Sequence, residues 1–299
     1  ARLRRVSGAR IVQGHVARSA HSLPPGKIGW WEASTALDAP PPFGHPDAAS
    51  GAAQLAWIDE ATDLVRAGIA DALVTGPVSK EAIARSGAPG AESFRGHTEH
   101  LAARLGADEV IMAFAGERLV TALATTHLAI ADVPGAITKD AVVSAIYWLV
   151  KLARALGKRA PRIAVASLNP HAGEGGLLGR EEIEVIGPAI ALARERLGAE
   201  HEKAEIHGPI GAETAIRYAA QKKFDAVVAM YHDQATIPSK LLGFGEAVNV
   251  TLGLPIVRTS VDHGTGYDVA GTGRADPRGM IEAIEVAVKL VEARAKKRR

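Results

Sequence analysis

No cysteine occurs among the 299 residues. Disulfides, thiolate nucleophiles and sulfur-ligated metals are therefore excluded, and any transition-metal site must be built from His, Asp or Glu. No apolar run approaches the roughly 18–20 residues of a bilayer-spanning helix. The opening "ARLRR" resembles the charged part of a signal peptide, but no apolar segment follows it. The expectation is a soluble cytoplasmic protein. Charge of one sign is lacking too: 35 basic residues face 33 acidic ones, for a net charge of +2. That balance gives no electrostatic reason to expect nucleic acid or an anionic membrane as partner. The common phosphate signatures are missing: there is no GxxxxGKS or GxxxxGKT, and no GxGxxG behind a first strand.

What is present is alternation. Short β-branched runs, "DALVTG" (71–76), "RLVTALAT" (118–125), "RIAVASL" (162–168), "DAVVAM" (225–230) and "LPIVRTS" (254–260), read as strands. Longer patterns with helical spacing lie between or after them: "DAVVSAIYWLVKLARALG" (140–157), "EEIEVIGPAIALARERLG" (181–198) and "RGMIEAIEVAVKLVEARAKK" (278–297). Strand–helix alternation with short connections predicts an α/β fold with a mainly parallel sheet covered on both faces. Residues 19–47 hold six prolines and little periodicity, which predicts an irregular segment over a domain edge.

Polar clusters follow the strands. "GPVSK" (76–80), "TTH" (125–127), "NPHAGEGG" (169–176), "YHDQ" (231–234) and "VDHGTG" (261–266) each begin where a strand should end. Ligands of parallel α/β sheets bind beyond the carboxyl ends of the strands. His127, His171 and His232 are thus expected to converge on one edge, where three imidazoles would suit a metal and leave positions open for substrate. Taken singly, each is more often a structural histidine. Asp233 can orient an imidazole or cap the segment that follows. Thr98 in "GHTEH" reads as an N-cap, with His97 just before it. The glycines of "HAGEGG" suggest a turn or a close approach, and the helix opening at residues 180–182 could offer free N–H groups to an anion. Lys240, Asn249 and Arg258 stand near element ends, and the two cations can clamp carboxylate or phosphate.

Seven ordered blocks, "VTGPVSKEAI", "GHTEHLA", "ATTHLAIADV", "LNPHAGEGG", "AMYHDQ", "GFGEAVNVTLGLPIVRTSVDHGT" and "DVAGTGRAD", together resemble the 4-hydroxythreonine-4-phosphate dehydrogenase family over roughly residues 45–290. That resemblance implies two α/β/α domains around a cleft with mainly parallel sheets, like isocitrate and isopropylmalate dehydrogenases. The expected division is 1–90 plus 274–299 and 91–273, with the family's leading strand absent from this chain. It implies a homodimer with the active site at the interface, and a divalent metal (Zn, Mg or Co) on His127, His171 and His232, the last from the second subunit. Substrate contacts would be His97, Thr98, Lys240, Asn249 and Arg258. The implied reaction is oxidation of 4-phosphooxy-L-threonine at C3 by NAD, with NADP possible, followed by decarboxylation to 3-amino-2-oxopropyl phosphate on the way to pyridoxal phosphate. Lys240 is the first candidate for proton transfer and Asp233 the second. "DHGTGYDVAGTGRADP" is similar to the cofactor loop of the isocitrate-type enzymes, which implies that His263, Gly264, Thr265, Gly271 and Asp276 line the nucleotide site. Competing expectations keep the chemistry on D-threonate or erythronate 4-phosphate or an aromatic dihydrodiol, or read the three histidines as a metal hydrolase.

Overall fold

The structure is a computed structural model and describes residues 31, 33–35, 37, 39, 41–243, 245 and 247–298. The expected irregular segment at 19–47 falls largely outside these. Its described end, residues 41–47, is a turn closed by His45 N–H donating to Pro42 O (3.1 Å).

Eight strands form one sheet: Ala72–Thr75 (β1), Ile111–Ala115 (β2), Val120–Leu123 (β3), Arg162–Ala166 (β4), Glu205–Ile210 (β5), Ala226–Ala229 (β6), Val248–Leu252 (β7) and Val257–Val261 (β8). The helices are Ala48–Arg66 (α1), Lys80–Ala84 (α2), His97–Leu105 (α3), Val133–Ala136 (α4), Lys139–Ala155 (α5), Gly187–Ala199 (α6), Ala212–Ala220 (α7), His232–Leu242 (α8) and Arg278–Arg298 (α9). The sheet order is β1-β8-β7-β2-β3-β6-β4-β5. Both ends are parallel, β1 with β8 and β3-β6-β4-β5 among themselves. The centre is antiparallel: β7 pairs in opposite sense with β8 and with β2, and β2 with β3. Two tight connections, β2 to β3 and β7 to β8, replace crossover helices there. One consequence corrects the sequence reading. β1 and β8 end at the edge opposite to that of β3, β6 and β4, so the polar clusters do not share one edge.

One face of the centre is apolar and carries the core. Ile111, Ala113, Val248, Val250 and Val257 pack beneath α5 and α9, with Ile146, Leu149 and Leu152 of α5 almost wholly buried. Each such large aliphatic side chain contributes roughly 1.5–3 kcal/mol. Register puts Met112, Phe114, Asn249, Thr251, Arg258 and Ser260 on the other face. Among the described residues no single helix is long and apolar enough to cross a membrane. The bent pair that passes by composition includes α5, which is core.

Gly253 turns β7 toward β8 with φ +90°, and a Cβ there would stand 1.9 Å from the carbonyl oxygen of Glu109. Backbone cannot move aside as a side-chain tip can. Gly253→Ala is expected to lower stability by about 2–4 kcal/mol through strain and overpacking, read by chemical denaturation.

Candidate active site

A cavity of about 370 Å3 lies across the polar face of β8, β7 and β2. Its walls come from both sheet edges. His127 and His232 follow β3 and β6 on one side; Pro77, Val78, Asp262 and His263 follow β1 and β8 on the other. α8 runs antiparallel to β6 and so carries His232 at its start and Lys240 two turns further up the wall. The first turn of α3 brings His97, Thr98 and Glu99 over the top.

All five expected substrate residues, His97, Thr98, Lys240, Asn249 and Arg258, line this one cavity. Arg258 is 3% exposed. Its Nη1 donates to Thr251 Oγ1 (2.9 Å) and its Nη2 to Thr75 Oγ1 (2.8 Å). Among the described residues its Nε has no hydrogen-bond partner, nor does the buried Oδ1 of Asn249. Burial pushes the guanidinium down to about 10, against the opposing pull of Glu99. A buried cation hydrogen-bonded to neutral hydroxyls, without a direct ion pair among the described residues, is only partly compensated for its desolvation. It is the strongest anion-seeking feature of the cavity.

Thr98 is not the cap of α3. Gly96 holds that place without a side-chain bond, and Thr98 is the second residue of the helix, its Oγ1 3.5 Å from Thr251 Oγ1. Any Cβ on Gly96 would come within 3.0 Å of Glu99 Oε2 and 3.4 Å of Lys80 Nζ, so glycine is what lets these two groups crowd the cavity rim. Burial first, then Arg258, His100 and Lys80, pushes the His97 imidazole down to about 4, so the ring is neutral near pH 7. As pH falls through 6.5 toward 4, the unfolded chain takes up this proton before the folded one does. Stability present above pH 6.5 is therefore lost on that descent. His97→Gln is expected to flatten that part of the stability curve, measured by urea unfolding between pH 4.5 and 7.5.

Two of the three expected metal ligands meet. The rings of His127 and His232 lie 5.5 Å apart within one chain, so His232 needs no second subunit to reach His127, contrary to what the resemblance implied. Nδ1 of His232 donates to Asp233 Oδ1 (2.7 Å), which turns Nε2 outward. Asp233 thus orients the ring and does not itself line the cavity. The "YHDQ" segment is pinned from behind: Gln234 accepts from Met230 N–H (2.7 Å) and donates to Ser167 O (2.9 Å).

His171 stands apart. β4 lies beside β6, so its following segment leaves the same sheet edge as those of His127 and His232. Yet His171 does not line the cavity, and no three His, Cys, Asp or Glu residues among those described are grouped to hold a metal. Pro170–Gly176 contains five consecutive left-handed residues, 171 to 175, three of them not glycine. Each non-glycine residue there costs about 1–2 kcal/mol, a burden that persists when surroundings enforce it. The enforcer is Glu182. This buried carboxylate accepts from the N–H groups of Leu168 and Asn169 (2.8 Å each) and from Asn169 Nδ2 (3.0 Å). The amides of Leu168 and Asn169 are thus satisfied from within, by the first residue of a π-helical turn, Glu182–Ile186.

The expected cofactor loop divides. His263 and Gly264 line the cavity; Thr265 lines an adjoining one. Gly271 (φ +75°) lies against the Phe43 ring, and Asp276 pairs with Arg278 (2.7 Å) at the start of α9, so both have local packing roles.

Three charged groups of the cavity escaped sequence reasoning. Lys80 and Glu99 stand inside "GPVSK" and "GHTEH", and Asp262 in "VDHGT". Their position beside already suspected residues was the available signal. Glu99 Oε1 lies 3.9 Å from His127 Nδ1, and that histidine holds the carboxyl below its ordinary range. Burial pushes the Asp262 carboxyl up, opposed by Lys240, His232 and His263. Around this edge large apolar side chains face outward: Ile130 (71% exposed) beyond His127, Leu177 (80%) beyond His171 and Leu241 (81%) on α8.

Comparison with known proteins follows the same line. The 4-hydroxythreonine-4-phosphate dehydrogenase of Desulfosudis oleivorans is 48% identical over 265 residues, covering 88% of this chain and 75% of that one. A crystal structure of a 4-hydroxythreonine-4-phosphate dehydrogenase from Burkholderia phymatum superposes with TM-score 0.76 at 37% identity, over 97% of this chain and 85% of the other. A terephthalate 1,2-cis-dihydrodiol dehydrogenase from Burkholderia xenovorans is 31% identical with TM-score 0.64, over 88% and 80%. The model of the pyridoxal phosphate biosynthetic protein PdxA matches residues 5–287, and the chain belongs to that family.

Proposed function

We propose that this chain is an NAD- and metal-dependent 4-hydroxythreonine-4-phosphate dehydrogenase, a cytoplasmic homodimer. It would oxidise 4-phosphooxy-L-threonine at C3 and release CO2 to give 3-amino-2-oxopropyl phosphate. The observation that carries this reading is the buried Arg258, hydrogen-bonded only to hydroxyls among the described residues and facing a cavity that also holds the His127–His232 pair. Two imidazoles with no thiolate suit a divalent ion such as Zn or Co better than Mg, which prefers oxygen ligands. When bound, the ion supplies Lewis acidity and the dinucleotide accepts hydride.

The chain's own groups do the rest. Arg258, with Asn249, Thr98 and neutral His97, binds an anionic end of the substrate and fixes its distance from the two imidazoles. Lys240 is the residue suited to taking the C3 hydroxyl proton and returning one to carbon after CO2 leaves. Lys80 adds a further basic side chain to the cavity, for a substrate bearing phosphate and carboxylate. His171 would come from a second copy of the chain, docked through apolar side chains that face outward near His127, near His171 and at the end of α8.

A second reading keeps the site and changes the substrate, since Arg258 fits a carboxylate as well as a phosphate and a dihydrodiol dehydrogenase is 31% identical. Turnover of a panel with NAD decides. NADH formation from 4-phosphooxy-L-threonine is expected. NADH only from a dihydrodiol or a threonate phosphate would move the assignment, and hydrolysis without NAD would overturn it.

A further inference from the structure

The two imidazoles of the cavity are held differently. The His232 ring is fixed by its own neighbour, Nδ1 donating to Asp233 Oδ1 at 2.7 Å. The backbone leading into His127 is anchored, since Thr125 Oγ1 donates to Met230 O (2.7 Å). The His127 ring itself is half-exposed, and among the described residues its one charged neighbour within ion-pair reach is Glu99. Glu99 Oε1 lies 3.9 Å from His127 Nδ1. That is longer than a hydrogen bond. Contacts of this kind in active sites are often long and tighten only when the site is loaded.

Glu99 is the third residue of α3, and the first two, His97 and Thr98, line the same cavity. The absent side chain of Gly96 makes room for its carboxylate. A Cβ at that position would stand 3.0 Å from Oε2, so one oxygen of Glu99 lies over Gly96 while the other faces His127. Lys80 approaches Gly96 as well, its Nζ 3.4 Å from the same Cβ, without forming an ion pair with Glu99. A carboxylate in the first turn of a helix gains from the helix dipole. That gain is indifferent to the direction in which the carboxylate points. It does not account for an oxygen aimed at a ring carried by another element.

We infer that Glu99 is the positioning residue of His127: it receives Nδ1–H and so leaves Nε2 to bind a metal, as Asp233 does for His232. This rests on the metal dependence proposed above. An imidazole that ligates through one nitrogen is oriented by what the other nitrogen donates to. Asp233 sits beside its own histidine, whereas Glu99 reaches His127 from α3. One helical turn therefore carries both His97 and Thr98, which meet the substrate, and the carboxylate that aims His127. The orientation of the imidazole and the place of the substrate's anionic end are set together.

Zinc titration of the full chain against a competing chelator tests this apart from turnover. Glu99→Ala should weaken zinc binding roughly 10- to 100-fold. Its melting temperature without metal and its binding of inorganic phosphate should stay those of the parent, because the side chain is half-exposed. Glu99→Gln, which keeps an acceptor oxygen at the same reach, should recover most of the loss. Gly96→Ala pushes on the carboxylate without altering its chemistry. It should weaken zinc binding in the parent and have no further effect once Glu99 is replaced by Ala, a coupling that a purely structural role does not produce. Equal zinc affinity for the parent and Glu99→Ala overturns the inference while metal-dependent turnover stands. So does a Gly96→Ala effect that is the same with and without Glu99. Loss of phosphate binding in step with zinc would make Glu99 a general strut of the cavity, and also overturns it. A parent protein that binds no divalent metal overturns the parent reading, and this one with it.

Discussion

Arg258→Met is expected to yield a folded protein that melts higher than the parent yet loses about 30- to 4,000-fold in kcat/KM, the equivalent of 2–5 kcal/mol for a truncated charge pair in a buried site. The two effects have one origin. In the free protein Arg258 is 3% exposed, and among the described residues its guanidinium is hydrogen-bonded only to the hydroxyls of Thr75 and Thr251. Its desolvation is not offset until an anion arrives. An apolar side chain of similar length removes that cost, and such replacements stabilise by roughly 1–4 kcal/mol where the charge is poorly partnered. Thr75 and Thr251 can reorient their hydroxyls, so their loss of a donor subtracts little. Thermal melts and steady-state kinetics on the same preparation check both halves. A variant that melts lower with unchanged kcat/KM would make Arg258 a structural strut. The opposite pairing is what a binding group kept at the expense of stability produces.

The second large effect concerns His171. If its imidazole reaches the pair His127–His232 only from another copy, His171→Ala and His232→Ala must each be inactive alone. Each should lose tight metal binding while remaining folded. Mixed and allowed to exchange subunits, they should recover activity. In a heterodimer one site has its own His127 and His232 and receives an intact His171; the other lacks both His232 and a donor. Random exchange of equal amounts makes half the dimers mixed, so about a quarter of the wild-type sites return. A site built within one chain predicts no recovery at all. Metal titration of the mixture gives a readout independent of turnover.

How far the sequence foretold this depended on what each residue's signal required. The β-branched runs of β4, β6 and β8 are visible because they are buried on both faces and bounded by polar clusters. β2, "IMAFA", is equally buried but lacks both β-branching and alternation beyond its first residue, so nothing local marks it. β7 carries Asn249 toward the cavity and Thr251 toward Arg258, and that polarity hides a strand. With β2 and β7 unread, the reversal of direction at the sheet's centre could not be read either. The site was legible where residue type is rare and telling, as with the histidines and Arg258. It was not legible for Glu99, because a carboxylate in the first turn of a helix has an ordinary explanation in the helix dipole. Only tertiary placement beside His127 shows otherwise.

The same central strands govern how a ligand gets in and out. β7 is bonded on both sides, to β2 and to β8, and these three strands form the bottom of the catalytic cavity. Widening that bottom would break a backbone ladder on either side of β7, so its amides should be among the last in the molecule to exchange with solvent. Passage must come over the rim, where residues 262–277 run almost without regular structure between β8 and α9. Entry, departure and hence the pace of repeated turnover become properties of that strap and of the segment at 41–46 against which it leans.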